Sequence, residues 1–171
     1  MQFIAPTIDQ IPQLQQLMRT TFTETFGHLY PPADLASYLD SAYGSARLAT
    51  ELADPRNYWQ LVLDESGAAI AYLECVPAHL PHADCRPEHG EIERLYVLQS
   101  QQGRGLGRRL MELALNHLSD RYPGAPQWLG VWSENRKAQG LYRAYGFDKV
   151  GEYTFPVGET EDHEFIFCRK P

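Results

Sequence analysis

The sequence has few cysteines, no long hydrophobic run and no excess of basic residues. Its 171 residues include three cysteines, Cys75, Cys85 and Cys168, with no close pair. An odd number of widely spaced cysteines argues against a disulfide framework and fits a reducing compartment. No segment approaches the ~20 apolar residues of a membrane span, and the first residues contain no secretory hydrophobic region. We therefore expect a cytoplasmic protein that does not interact with membranes.

The charge balance is acidic. The sequence has 15 Lys and Arg residues and 22 Asp and Glu residues, which gives a formal net charge of −7. Such a balance disfavours nonspecific binding to nucleic acid and can attract a cationic ligand, although excess acid is also an ordinary aid to solubility. The length and the 43% hydrophobic content predict a single domain over residues 1–171 with its own core.

A glycine-rich segment separates a predicted strand, residues 92–97, from a predicted helix. It reads Gln102-Gly103-Arg104-Gly105-Leu106-Gly107. Alternating glycines allow positive φ and close approach of the backbone to a ligand, and the first turn of the following helix offers unpaired N–H groups. Arg104, Arg108 and Arg109 crowd this N-terminus, where the helix dipole favours acidic residues instead. The segment predicts a pyrophosphate site; a turn that binds nothing is the alternative.

A second motif follows the short apolar strand predicted at residues 128–132. Ser133 and Asn135 are candidate helix N-caps, and Gly146 stands where a helix C-cap is expected. Between them, apolar and aromatic side chains recur at i, i+3, i+4 and i+7: Ala138, Leu141, Tyr142 and Tyr145. This spacing predicts an amphipathic helix.

The two motifs together resemble the signatures of the GCN5-related N-acetyltransferases (GNAT). The glycine-rich segment lacks the Gly-Lys-Ser/Thr of a P-loop and the third glycine of a dinucleotide fingerprint. It resembles the Gln/Arg-x-x-Gly-x-Gly/Ala loop of that family, and residues 135–147 resemble the family's second signature. Three further segments, 21–26, 128–132 and 155–158, are similar to the PaiA-type polyamine acetyltransferases.

The resemblance implies a fold and a co-substrate. The fold is α/β (α+β), with a mixed, mostly antiparallel central sheet flanked by helices and the acetyl-CoA loop between strand 4 and the following helix. Acetyl-CoA binds through its pyrophosphate at the loop and through its pantetheine arm along strand 4. Asn135 positions that arm, caps the helix, or does both. The implied acetyl-CoA residues are Leu95, Tyr96, Val97, Gln102, Gly103, Arg104, Gly105, Leu106, Gly107, Arg108 and Asn135.

Amine acetylation requires a base for the ammonium group and an acid for the leaving thiolate. Glu91 and Glu93 are two residues apart in the strand before the loop, so their side chains share one face, while Arg94 points the other way if the strand is regular. Either glutamate can be the base, directly or through water; ordinary ion pairs or solvated carboxylates are the alternative. Tyr142 matches the position of the family's usual general acid, although its helical spacing alone favours a core aromatic.

The acceptor is expected to be a small cationic amine or polyamine. In the family the N-terminal helices usually shape the acceptor cleft, and the implied substrate-binding residues are Phe22, Glu24, Phe26 and Tyr30. Aromatic rings would contact an aliphatic stem and carboxylates would pair with ammonium groups. A packed helix face is the alternative for these side chains. Acetylation of a protein N-terminus or lysine, and an inactive acetyl-CoA-binding regulator, remain alternative functions. A homodimer is compatible with the sequence.

The segment from Pro77 to Gly90 resembles an insertion that carries four possible zinc ligands, His79, His82, Cys85 and His89. Their spacing does not match a standard two-pair finger, and nearby acidic residues fit a solvated loop. We therefore expect no metal; a zinc-stabilised interaction module is the alternative.

Overall fold

Seven strands form one mixed sheet in the computed structural model, which describes residues 1–158 and 160–171. The strands are β1 (Gln2–Ile4), β2 (Tyr58–Leu63), β3 (Ala69–Pro77), β4 (Gly90–Val97), β5 (Gln127–Trp132), β6 (Asp148–Val157) and β7 (Thr160–Arg169). Their order across the sheet is β1-β2-β3-β4-β5-β7-β6. Neighbouring strands are antiparallel except β4 and β5, which are parallel. The predicted mixed, mostly antiparallel sheet is confirmed.

Five α-helices in the described residues cover the sheet: α1 (Ile11–Phe26), α2 (Pro32–Ala42), α3 (Ser45–Ala53), α4 (Leu106–Arg121) and α5 (Arg136–Ala144). The apolar stripe of α4, including Leu110 and Met111, packs in one buried cluster with residues of the sheet. Leu14 and Leu48, from α1 and α3, belong to a second cluster. None of these helices has the length and apolar character that crossing a membrane requires.

The predicted caps of α5 agree with the structure. Asn135 accepts a hydrogen bond from the Ala138 N–H through Oδ1 at 3.1 Å, so its role as the N-cap of α5 is confirmed. Gly146 has a φ of 86°, the left-handed conformation that favours glycine after a helix. The helix after the glycine loop ends at Arg121, two residues before Pro123, which cannot continue a helix.

The parallel strands β4 and β5 pair over a short length and then separate. Their paired residues are Gly90 with Gln127, Glu91 with Trp128, and Ile92 with Leu129. Beyond Ile92, the backbone of β4 has no partner on β5 in the described pairing. Backbone N–H and C=O groups that leave a ladder need other partners, so this opening is a natural place for an extended ligand.

A β-bulge in β4 changes which side chains face the same way. Glu74 of β3 pairs with Arg94, but the next residue, Cys75, pairs with Ile92, so Glu93 is an extra residue in β4. The extra residue shifts the alternation of side chains, and Arg94 lines the same cavity as Glu91 and Glu93. The prediction that Arg94 points away from the two glutamates was wrong, because it assumed a regular strand.

Candidate active site

A cleft of about 1400 Å³ opens where β4 and β5 separate. It is lined by the free segment of β4, the glycine loop, the start of α4 and one face of α5. Every residue predicted to contact acetyl-CoA lines it except Arg104: Leu95, Tyr96, Val97, Gln102, Gly103, Gly105, Leu106, Gly107, Arg108 and Asn135. Residues remote in sequence, which were selected from two motifs, are therefore brought together around one cleft.

The glycine loop leaves open space beside its backbone. Gly103 and Gly105 have φ values of 79° and 81°, which side-chain-bearing residues rarely adopt. Apart from the glycine and its two chain neighbours, no described atom lies within 4 Å of the point where a Cβ would stand on Gly103 or Gly105. Gly105 is also the N-cap of α4, and no side chain caps that helix. An uncapped helix N-terminus beside an open glycine backbone fits a pyrophosphate group.

Of the three arginines near this N-terminus, Arg108 lines the cleft. Arg104 donates a hydrogen bond to Gln101 Oε1 at 3.1 Å, and the Arg109 guanidinium lies 4.0 Å from the centre of the Phe3 ring. A further cation, Lys137, lines the cleft and donates to Gln102 Oε1 at 2.7 Å. Sequence reasoning missed Lys137, although a basic residue in the first turn of α5 is as unusual as the arginines of α4.

A second cavity of about 390 Å³, here called the acceptor pocket, lies beside the cleft. Three of the four predicted substrate-binding residues, Phe22, Phe26 and Tyr30, line it. Glu24 does not; it lines the large cleft, where its carboxylate accepts a hydrogen bond from the Gln99 N–H at 2.9 Å. Residues two positions apart on an α-helix are separated by about 200° around the helix axis. The side chain of Glu24 therefore points away from those of Phe22 and Phe26.

The two cavities meet at a small set of residues, which we call the junction. Five side chains or backbone segments line both cavities: Phe26, Glu93, Tyr96, Gly130 and Glu164. A group bound in the cleft and a group bound in the acceptor pocket can come into contact there. The junction therefore defines where a reaction between two bound molecules can occur.

Glu91, Glu93 and His79 form a cluster at the wall of the acceptor pocket. The Glu91 Oε2 atom accepts a hydrogen bond from the His79 backbone N–H at 2.9 Å and lies 3.3 Å from His79 Nδ1. His79 Nε2 lies 3.5 Å from Glu93 Oε2. Glu91 is buried, whereas Glu93 is partly buried. The two predicted bases are thus adjacent, and a histidine that sequence reasoning considered only as a zinc ligand lies against both.

Within this cluster, the pKa values of His79 and Glu93 depend on the neighbouring charged groups. The hydrogen bond from His79 to Glu91 raises the pKa of His79 to about 9, against the opposing effect of burial. Burial raises the pKa of Glu93, and the neighbouring Glu91 raises it further, while Arg94 and His79 act in the opposite direction. At neutral pH, His79 is therefore an imidazolium whose positive charge lies beside the carboxyl groups of Glu91 and Glu93.

The remaining possible zinc ligands of the loop pack around Trp128. Its Nε1–H donates to His89 Nδ1 at 3.1 Å, and the centre of the His82 ring lies 5.2 Å from the centre of the indole. Cys85 packs against the same apolar cluster. Within residues 1–158 and 160–171, the set of side chains close enough to share a metal ion is His79, Glu91 and Glu93, not the four loop residues.

Tyr142 lines the large cleft from α5. Burial, with a smaller effect of the negative charge of Glu164, raises the pKa of its phenol to about 12. The hydroxyl is therefore protonated at neutral pH and is available as a proton donor to a group in the cleft.

Glu164 of β7 was not among the predicted site residues. It lines both cavities, and burial followed by the charge of Asp162 raises the pKa of its carboxyl to about 8. Glu164 lies in the middle of β7, after Glu161 and Asp162, so no local signal distinguishes it, and its direction depends on the register of β7 against β5 and β6.

Comparison with known proteins identifies the family of this fold and site. The profile described as the Acetyltransferase (GNAT) family matches residues 11–147. The chain belongs to the GNAT acetyltransferase family. Among curated relatives, an uncharacterized N-acetyltransferase in the pepI 3' region of Lactobacillus delbrueckii subsp. lactis is 30% identical over 156 residues, covering 91% of this chain and 89% of the relative.

Two further similar proteins are a solved structure and a curated enzyme. The PaiA N-acetyltransferase from Thermoplasma acidophilum, solved in complex with coenzyme A, has a TM-score of 0.77 at 16% identity, over 99% of this chain and 98% of that one. The spermine/spermidine N(1)-acetyltransferase of Bacillus subtilis is 30% identical over 64 residues, which is 37% of this chain and 42% of the relative.

The chain is thus an acetyl-CoA-dependent N-acetyltransferase of the GNAT type. Its large cleft suits this co-substrate, because the open glycine backbone, the uncapped start of α4 and the side chains of Arg108 and Lys137 offer donors and positive charge to phosphate groups.

Proposed function

We propose that this N-acetyltransferase acetylates a primary amine of a small cationic molecule, with a polyamine as the favoured acceptor. The observation that carries the proposal is the acidity of the acceptor pocket. Four carboxyl side chains line its wall: Glu91, Glu93, Asp162 and Glu164. Carboxylates in a confined cavity attract ammonium groups more strongly than exposed ones, because less solvent screens the interaction.

The positive side chains of the pocket do not cancel this charge. Arg94 lines the wall but pairs with Glu74 at 2.5 Å and with Glu51 at 2.9 Å, and Arg47 pairs with Glu51 at 2.7 Å. His79 pairs with Glu91. The wall thus carries four carboxyl groups and three cationic side chains, and two of these cations, Arg47 and Arg94, pair with acids outside the wall.

Aromatic rings supply the rest of the wall. Tyrosine and phenylalanine side chains from the N-terminal helices, β4 and β6 line the pocket: Phe22, Phe26, Tyr30, Tyr38, Tyr43, Tyr96, Tyr153 and Phe155. Such rings pack against methylene groups and attract cations through their faces. A chain of methylenes that separates ammonium groups, as in a polyamine, matches this combination. The likeness to the spermine/spermidine N(1)-acetyltransferase of B. subtilis supports the same acceptor class.

We assign the base to the Glu91 and Glu93 pair and the acid to Tyr142. Glu93 lines the junction and Glu91 lies behind it in the acceptor pocket. One of them, directly or through water, takes a proton from the ammonium group, so that the nitrogen lone pair can attack the thioester carbonyl. The C–N bond forms, the C–S bond breaks, and the Tyr142 hydroxyl gives its proton to the sulfur.

The glycine loop provides a test of the acetyl-CoA placement. Gly105→Val is expected to weaken acetyl-CoA binding roughly tenfold or more, or about 1.4 kcal/mol. The backbone of a valine is strained at a φ of 81°, and its side chain would fill the open space beside the loop. Isothermal titration calorimetry measures the affinity.

Gly67→Val is the matched control. Gly67 has a φ of 84° and equally open surroundings, but it lies in the turn between β2 and β3 and lines neither cavity. It therefore introduces similar backbone strain without touching the cleft. Equal affinity of the two variants for acetyl-CoA would place the pyrophosphate elsewhere.

The acceptor is tested by competition at saturating acetyl-CoA. Spermidine should have a higher kcat/KM than an amino acid with an uncharged side chain, and added salt should reduce its advantage by screening charge pairing. The rate at which the free thiol of coenzyme A is released measures turnover. Equal use of both acceptors with no salt effect would discard the polyamine while leaving the acetyltransferase activity intact, and a preference for N-terminal peptides would assign a protein substrate.

A further inference from the structure

We propose that Glu164 is a further catalytic residue, which binds the reacting ammonium group of the acceptor at the junction. The inference rests on the proposed function, since it requires a cationic amine. It adds a residue of β7 to a site otherwise assigned to β4 and α5.

Glu164 differs from Glu91 and Asp162 in its position, because it lines both cavities. Glu91 and Asp162 line the acceptor pocket, whereas Glu93 and Glu164 line the acceptor pocket and the large cleft. The other junction residues, Phe26, Tyr96 and Gly130, carry no negative charge at neutral pH. An amine nitrogen that attacks a thioester in the cleft has to reach the junction, which carries the carboxyl groups of Glu93 and Glu164.

The lack of a partner distinguishes Glu164 from Glu93 and from the remaining acids. His79 lies against Glu91 and Glu93, and the Tyr30 hydroxyl donates a hydrogen bond to Asp162. In the part of the chain that the structure describes, no hydrogen bond or ion pair reaches the Glu164 carboxylate. Partial burial therefore favours the protonated form of Glu164 in the free protein, and an ammonium group bound at the junction would favour its carboxylate instead.

The surroundings of Glu164 match the demands of the reaction. The charge of Glu164 contributes to the raised pKa of Tyr142, so the two side chains are near enough to interact. The nucleophilic nitrogen and the leaving sulfur are bonded to the same carbon during transfer. Glu164 lines both cavities and Tyr142 lines the large cleft, so a nitrogen held by Glu164 and a sulfur that faces Tyr142 can share one carbonyl carbon.

The test compares Glu164→Gln with Glu161→Gln. Both replace a carboxyl group of β7 by an amide, but Glu161 is exposed and lines neither cavity. In calorimetry without acetyl-CoA, Glu164→Gln should weaken spermidine binding at least tenfold and reduce the salt dependence of its Kd. The Glu161→Gln protein should bind spermidine as the wild type does, and both variants should keep the wild-type affinity for acetyl-CoA.

Glu164→Asp retains the charge and should retain the salt dependence even if its shorter side chain lowers the affinity. Wild-type spermidine binding in Glu164→Gln, with an unchanged salt dependence, would overturn the assignment of Glu164 while leaving the cationic acceptor in place. A wild-type protein that neither binds nor acetylates spermidine or another cationic amine would overturn both the acceptor class and the role of Glu164.

Discussion

Tyr142→Phe is expected to lower kcat by roughly 10²-fold while the affinity for acetyl-CoA is preserved. Phenylalanine keeps the ring and its packing, including the edge contact with Phe147, but has no proton to give. Because the pKa of Tyr142 is raised to about 12, the wild-type phenol stays protonated throughout the usual assay range. The loss in the variant should therefore be similar from neutral to moderately alkaline pH. Steady-state turnover and calorimetry measure the two quantities.

Tyr145→Phe is the matched control for this experiment. Tyr145 lies near the end of the same helix, also lines the large cleft, and donates a hydrogen bond to Glu112 Oε1 at 3.2 Å. Its hydroxyl is not assigned to the thiolate, so its removal should change kcat little. Near-normal turnover of Tyr142→Phe across the pH range would remove Tyr142 from the mechanism.

The doubly substituted protein Glu91→Gln, Glu93→Gln is expected to lose roughly 10²-fold or more of its kcat/KM at neutral pH. Both substitutions keep the size of the side chains but leave no carboxylate on β4 to take the ammonium proton. Activity should recover as the pH rises, because the fraction of acceptor that is already deprotonated increases about tenfold per pH unit below the pKa of the amine. A pH profile of kcat/KM measures the recovery.

The direction of the pH effect in the wild type follows from the raised pKa of Glu93. A carboxyl acts as a base only when ionised, so wild-type activity should fall as the pH decreases through this raised pKa. The single variants separate the two glutamates: Glu93→Gln should have the larger effect if the residue at the junction takes the proton. A double variant with the wild-type pH profile would exclude both glutamates as the base.

His79→Gln controls for the histidine of the cluster. Removing Glu91 also removes the hydrogen bond that is the main cause of the raised pKa of His79, so the double variant changes the charge of His79 as well. His79→Gln removes the imidazolium but keeps both carboxylates. A much smaller loss in His79→Gln than in the double variant would attribute the effect to the glutamates themselves.

The local elements of this protein are encoded in short stretches of sequence. The strand–glycine loop–helix unit and the capped helix α5 were predicted because their signals, alternating glycines, caps and helical spacing, act over a few residues. Residues 58–76 likewise predict a hairpin from two apolar runs around an Asp-Glu-Ser-Gly turn, and β2 and β3 pair as expected. Together with the family resemblance, these units predicted the fold and ten residues that line the large cleft, whereas Arg104 does not line it and the lining residues Lys137 and Glu164 were missed.

The directions of individual side chains were decided by contacts between distant segments. The extra residue Glu93 in β4 arises from pairing with β3 and turns Arg94 toward the two glutamates. His79 reaches Glu91 through the fold of the loop between β3 and β4, and Glu164 reaches the junction through the register of β7. A change of one residue in strand register reverses the face of every side chain that follows. The sequence by itself thus determined the elements and the acetyl-CoA loop, and only the tertiary structure decided which charges surround the acceptor.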